Sequence, residues 1–118
     1  MKPKDLVKIN INTTRINDYA IRKLEIDLVH INYGLNKKKQ LNTKPRSNFT
    51  VHDVVSIFES LDGVVFEPER DEEYEYFMID RVFTIHKKKL KLVFCIEILA
   101  PDTAGVITLY VLKKGIKP

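Results

Sequence analysis

The chain has 118 residues, 44% of them hydrophobic, and a formal net charge of +4. That length fits one domain over 1–118 with a single two-layer core, and no apolar run approaches the roughly 18 residues of a membrane-spanning helix. The one cysteine, Cys95, excludes an intrachain disulfide framework and points to a reducing, cytoplasmic setting.

Residues 1–12 alternate polar and apolar and form no signal-peptide block. Within them LVKININ (6–12) sets Val7, Ile9 and Ile11 on one side and Lys8, Asn10 and Asn12 on the other, the period of a half-exposed strand. Residues 17–35 admit two readings. NDYAIRKL opens a short helix with Asn17 or Asp18 as cap, followed by a strand; or the whole stretch is a strand whose alternation slips at Leu28-Val29, as a bulge would make it. Helix then strand is the reading adopted.

A polar loop with Pro45 in its second half covers 35–48. Thr50 and Asp53 then form a capping-box pair, and Val51, Val54, Val55, Phe58 and Leu61 make a helical stripe that ends near Gly63, so the pattern predicts a helix over 50–62. Between Glu67 and Glu75, six carboxylates against Arg70 leave −5, so the rest of the chain carries +9. The cations include Lys37–Lys39, Lys44, Arg46, Lys87–Lys89, Lys91, Lys113, Lys114 and Lys117. Such a surface attracts polyanions, although a lysine-rich solvated face gives the same composition.

From Val64 onward the pattern is β, with strands expected near 64–67, 74–79, 81–87, 90–99 and 105–113. The last strand is read with Ile107, Leu109 and Val111 packed on the helix, which leaves Thr108 and Tyr110 on the uncovered face. Short connections imply antiparallel pairing. The fold class is α+β: one or two helices packed on one face of a twisted four- to five-stranded antiparallel sheet.

Metal chemistry finds no support, because His30, His52 and His86 are dispersed and no His-x-His or Cys-x-x-Cys pair exists. A glycine-rich phosphate loop and a serine-nucleophile turn are absent too, and no cofactor is expected. Metal-free RNA cleavage asks for less. The ribose 2′-hydroxyl is the nucleophile, so the protein supplies a base, an acid and cations for the phosphorane charge. Candidates are His30, Lys44, Arg46, Ser47, Thr50, His86, Thr108 and Tyr110, with Lys38 and Lys39 extending the cationic surface. Each has a plain alternative: Thr50 as N-cap, Arg46 as a loop cap or ion-pair partner, Tyr110 as a packed ring, and His30 as a tolerated polar residue on an amphipathic segment.

The segments RSNFTVHDVV (46–55), KLKLVFCIEIL (89–99) and GVITLYVLKK (105–114) place a helix entry, a hairpin strand and a tyrosine-bearing final strand in an order that resembles the RelE/HigB-type toxins. These belong to the wider superfamily of barnase, EndoU, colicin-type and RelE-like endoribonucleases. The resemblance covers about half the chain and implies metal-independent cleavage of mRNA or tRNA, held in check by an antitoxin or immunity protein. By position it implies that Tyr110 matches the late-strand tyrosine, and that Arg46, Lys44 and His30 match the cation and histidine roles. The long segment 1–35 and the absence of arginine from the last two strands depart from that pattern and favour free RNA over a ribosome-bound substrate.

On this reading His30 is the general base or acid, and Arg46 and Lys44 stabilise the phosphate. Ser47, Thr108 and Tyr110 orient it, while Thr50, Lys38 and Lys39 add substrate contacts. The rival is a non-catalytic basic α+β module that binds nucleic acid or a protein partner. An immunity or antitoxin protein is a third class, disfavoured because inhibitors of ribonucleases are usually acidic.

Overall fold

The structure, a computed structural model, describes residues 6–83 and 87–112. Strands β1 (Leu6–Ile16), β2 (Tyr19–Asp27), β3 (Glu69–Arg70), β4 (Tyr74–Phe83), β5 (Lys88–Glu97) and β6 (Thr103–Val111) form one sheet in the order β1-β2-β6-β5-β4-β3. Helices α1 (Leu28–Tyr33) and α2 (Val51–Glu59) complete an α+β fold. Two expectations are corrected. The sheet has six strands, and it is mixed, because β2 and β6 run parallel over Lys23–Ile26 and Thr103–Val106. The long chain path between β2 and β6 makes the parallel pairing possible, since parallel neighbours need a crossover and cannot be joined by a tight turn.

The order of elements in 17–35 is the reverse of that expected: strand first, helix second. Asn17 is a turn residue, not a helix cap. It sits at φ 54°, a conformation asparagine tolerates, between the paired Ile16 and Tyr19. Its side chain also exchanges two hydrogen bonds with the Phe66 backbone, at 2.8 and 2.9 Å. The phase slip at Leu28-Val29 marks the passage from strand to helix. Asp27 caps α1 by accepting the His30 N–H at 3.1 Å.

Other differences follow from alternation. The strands expected at 74–79 and 81–87 are one strand, β4, as far as Phe83; 84–86, with His86, lie outside the described residues. Asp80 and Arg81 continue the ladder, opposite Lys91 and Leu90. Instead of a strand at 64–67, Val64 makes one isolated parallel bridge to Ile16, and β3 follows at 69–70. A register shift between Val93 and Phe94 skips Ile107, so Val106 joins Leu109 in the core and Ile107 turns outward.

The capped helix is shorter than expected, 51–59, with its capping box intact: Thr50 Oγ1 accepts the Asp53 N–H at 3.1 Å, and Asp53 Oδ2 accepts the Thr50 N–H at 2.9 Å. Gly63, at φ 87°, ends the following turn and donates to the Arg15 carbonyl at 2.7 Å. Val54, Ile57, Phe58 and Leu61 are fully buried, while Val51 and Val55 pack at the core's margin. The Phe58 ring meets Phe94 edge-on at 5.0 Å, and Phe94 stacks on Phe77 at 4.9 Å. Leu90, Leu92, Phe94 and Ile96 of β5 line this covered face with Leu109, Val106 and Ala104 of β6. The opposite face carries Lys91, Val93, Cys95 and Glu97, paired with Tyr110, Thr108 and Gly105, and on β4 Asp80, Met78, Tyr76 and Tyr74. No helix among the described residues is long and apolar enough to cross a membrane.

Candidate functional site

The carbonyls at the C-terminus of a helix lack intrahelical partners and recruit donors from elsewhere. At α1 the recruits come from the next two segments. The Gly34 N–H donates to the His30 carbonyl at 2.8 Å, and Arg46 Nε donates to the Ile31 carbonyl at 3.1 Å. The backbone N–H groups of Arg46 and Ser47 both donate to the Asn32 carbonyl, at 2.7 and 3.2 Å. The Asn32 side chain adds three contacts. It accepts from the Phe49 N–H at 2.8 Å and the Ser47 hydroxyl at 3.1 Å, and donates to the Phe49 carbonyl at 2.9 Å. Residues 46–49 are thereby stitched to α1.

The Arg46 guanidinium extends from this anchor over β6. Nη2 donates to the Thr108 hydroxyl at 2.8 Å, and Cζ stands 4.7 Å above the Tyr110 ring, within cation–π range. Gly34 makes the space: a Cβ there would lie 2.7 Å from Arg46 Nη1. Burial lowers the pKa of the guanidinium and the neighbouring Tyr110 opposes that shift, yet an arginine remains charged at any physiological pH. Among the described residues no carboxylate forms an ion pair with Arg46. Arg46 also lines a depression of about 390 Å³ with Ser47, Asn48, Phe49, Asp53, Lys88, Leu90 and Val111.

Of the residues expected from sequence, Arg46, Ser47, Thr108 and Tyr110 come together here. Lys44 is exposed and does not line the depression. Lys38 and Lys39 are exposed in a turn organised by Asn36, whose side chain accepts the Lys38 N–H at 2.8 Å. The Thr50 hydroxyl is committed to the Asp53 N–H, and the Asp53 carboxylate already stands at the start of α2. An anion at this corner therefore meets Arg46 and Lys88 more readily than free helix N–H groups, and the Ser47 hydroxyl is itself committed to Asn32. His30 is half-buried on α1, next to the residue whose carbonyl holds Arg46.

Asn32 and Gly34 were missed by sequence reasoning. Gly34 had a legible signal, a glycine closing an apolar run, but assigning 17–35 as helix then strand hid it. Asn32 had none, because a hydrogen-bonding hub is invisible until its partners are in place.

Charge is segregated along the strands. Tyr74 pairs with Glu97 at one end of β4 and Phe83 with Lys88 at the other, so the acidic 67–75 run and the Arg46 corner lie at opposite ends of a sheet about 30 Å long. Asp71 organises the acidic turn by accepting the N–H groups of Glu73 and Tyr74, both at 2.8 Å.

No protein-family model matches this chain, and no curated protein or solved structure matches it.

Proposed function

We propose that this protein is a metal-independent endoribonuclease of the toxin type, cleaving single-stranded regions of mRNA or tRNA by attack of the ribose 2′-hydroxyl. A cytoplasmic antitoxin or immunity protein holds it in check. The observation that carries the reading is the Arg46 guanidinium, aimed by Ile31, Thr108 and Tyr110 and paired with no carboxylate among the described residues. A fixed planar donor beside Lys88 suits a phosphate whose charge grows as the 2′-oxygen attacks. His30 is the candidate acid or base, and Thr108 and Tyr110 hold Arg46 in place.

A non-catalytic module that binds single-stranded nucleic acid is the second reading, favoured by the half-buried Tyr74–Tyr76 ring pair, 5.9 Å apart on the open face. Incubating the purified chain with total RNA in EDTA separates the two. Cleavage that falls by about 10²–10³ in Arg46→Lys, with binding largely kept, supports the enzyme. RNA binding with no cleavage by the wild type supports the module.

A further inference from the structure

The open face holds a second depression, of about 290 Å³, lined by Glu25, Tyr74, Tyr76, Cys95, Glu97, Ala100, Thr103 and Gly105. Its floor is Gly105, flanked across the ladder by Glu25 on β2 and Cys95 on β5. Glycine inside a strand weakens it and often marks close approach of another group. Here neither packing nor backbone explains it. Gly105 is not among the positive-φ residues, and an added Cβ would meet only Cys95 Sγ, at an ordinary 3.6 Å. The missing side chain leaves an opening between larger neighbours.

The walls are chemically specific. Tyr76 is pinned by its hydroxyl, which donates to Asp71 Oδ2 at 3.0 Å, and Tyr74 stands beside it at a 40° tilt. Glu25 has a partner in Lys8 at 3.7 Å, whereas Glu97 forms no ion pair among the described residues. Burial raises the pKa of the Cys95 thiol, so it lines the site as a neutral group. Two aromatic rings beside an acceptor-only carboxylate suit a flat ring that presents adjacent N–H donors. Among the four RNA bases, guanine alone does so, with N1–H and the N2 amine side by side.

The place of the depression connects it to the Arg46 corner. Glu97 lies four residues along β5 from Val93, the partner of Thr108, a separation of about 13 Å. A base held here and a phosphate at Arg46 would therefore belong to different nucleotides of one strand.

We propose that this depression is a guanine-binding subsite, with Tyr74 and Tyr76 contacting the base and Glu97 accepting from N1–H and N2–H. As a determinant of RNA specificity it rests on the endoribonuclease reading above; as a binding site it does not. The acidic surroundings repel phosphate, so the backbone of the RNA runs from here towards Arg46 and away from the 67–75 turn.

The test uses nucleosides, which lack the phosphate that Arg46 would hold. Guanosine, inosine, adenosine and cytidine are titrated into the intact chain, following backbone amide NMR shifts. Guanosine should bind on the order of tenfold or more tighter than adenosine and cytidine, with inosine between, and should shift residues 95–97 and 103–105. Glu97→Gln should lower guanosine affinity about tenfold, Gly105→Val should block the site, and Arg46→Lys should leave it unchanged. An unchanged amide spectrum away from the substitution shows that each variant is folded. Equal affinity for all nucleosides, no binding, or binding of arginine amide in place of guanosine overturns the subsite. Selective guanosine binding by a chain that never cuts RNA keeps the subsite and overturns the enzyme. Cleavage without preference for guanine does the reverse.

Discussion

Replacing Gly34 by alanine tests the Arg46 corner without altering any group in it. Gly34 has φ 73° and ψ 175°, a region that is essentially glycine's alone, and an L-residue forced into it costs about 1–3 kcal/mol. The new Cβ would also lie 2.7 Å from Arg46 Nη1 and 2.8 Å from Cζ, so the guanidinium must leave. Its departure breaks the hydrogen bonds to the Ile31 carbonyl and the Thr108 hydroxyl and its contact with the Tyr110 ring. Hydrogen bonds from a charged donor contribute about 1.5–3 kcal/mol each when buried, and for the exposed Arg46 roughly half of that is reasonable. Together the effects amount to about 2.5–6 kcal/mol, enough to lower a urea midpoint by on the order of 1–3 M. Gly63→Ala is the control. That residue also has positive φ, at 87°, but its added Cβ would meet nothing within 4 Å, so only a backbone cost of about 1–2 kcal/mol applies. Urea unfolding of both variants, with RNA cleavage measured alongside, decides the matter. Equal midpoints for the two variants, with cleavage undiminished in Gly34→Ala, would refute the claim that Gly34 makes room for Arg46.

Phe58→Ala removes a ring that is fully buried against Phe94 and should destabilise the fold by about 3–5 kcal/mol in urea unfolding; an effect below 1 kcal/mol would mean that α2 does not pack as described. If RNA enters at the Arg46 corner, Arg46→Gln with Lys88→Gln should flatten the salt dependence of RNA affinity by about 0.7 in log–log slope per lost phosphate contact. Neutralising Lys38, Lys39 and Lys44, which do not line that depression, should flatten it less, as binding measured across a salt series will show. Asp71 has its pKa lowered below the ordinary 3.8, first by the Tyr74 and Glu73 N–H groups and then by the Tyr76 hydroxyl. A depressed carboxylate contributes stability above its unfolded pKa and loses it as pH falls through the folded one. Asp71→Asn should therefore show a shallower fall of the urea midpoint below pH 3.8 than the wild type.

Several features could be read from the sequence by itself because short-range rules decide them. Thr50 and Asp53 are three residues apart and close their capping box without help from the rest of the chain. The alternation in 105–113 assigned Thr108 and Tyr110 to the uncovered face, because side chains along a strand must alternate. The α+β class followed from one strong helix among alternating segments.

What the sequence could not decide depended on partners far along the chain. Residues 19–27 become a strand because β1 and β6 supply ladders on both sides, and the local pattern is equally compatible with helix. The parallel β2–β6 pair and the bulge that turns Ile107 outward are choices of register, and register is settled only when two strands meet. The same holds for the site. Arg46 reaches Thr108 across 62 positions, and Asn32 reaches Phe49 across 17. Gly105 becomes the floor of a depression only when Glu25 and Cys95 flank it. A hydrogen bond or an opening between side chains is a relation among groups brought together by packing, so it comes into being with the tertiary structure.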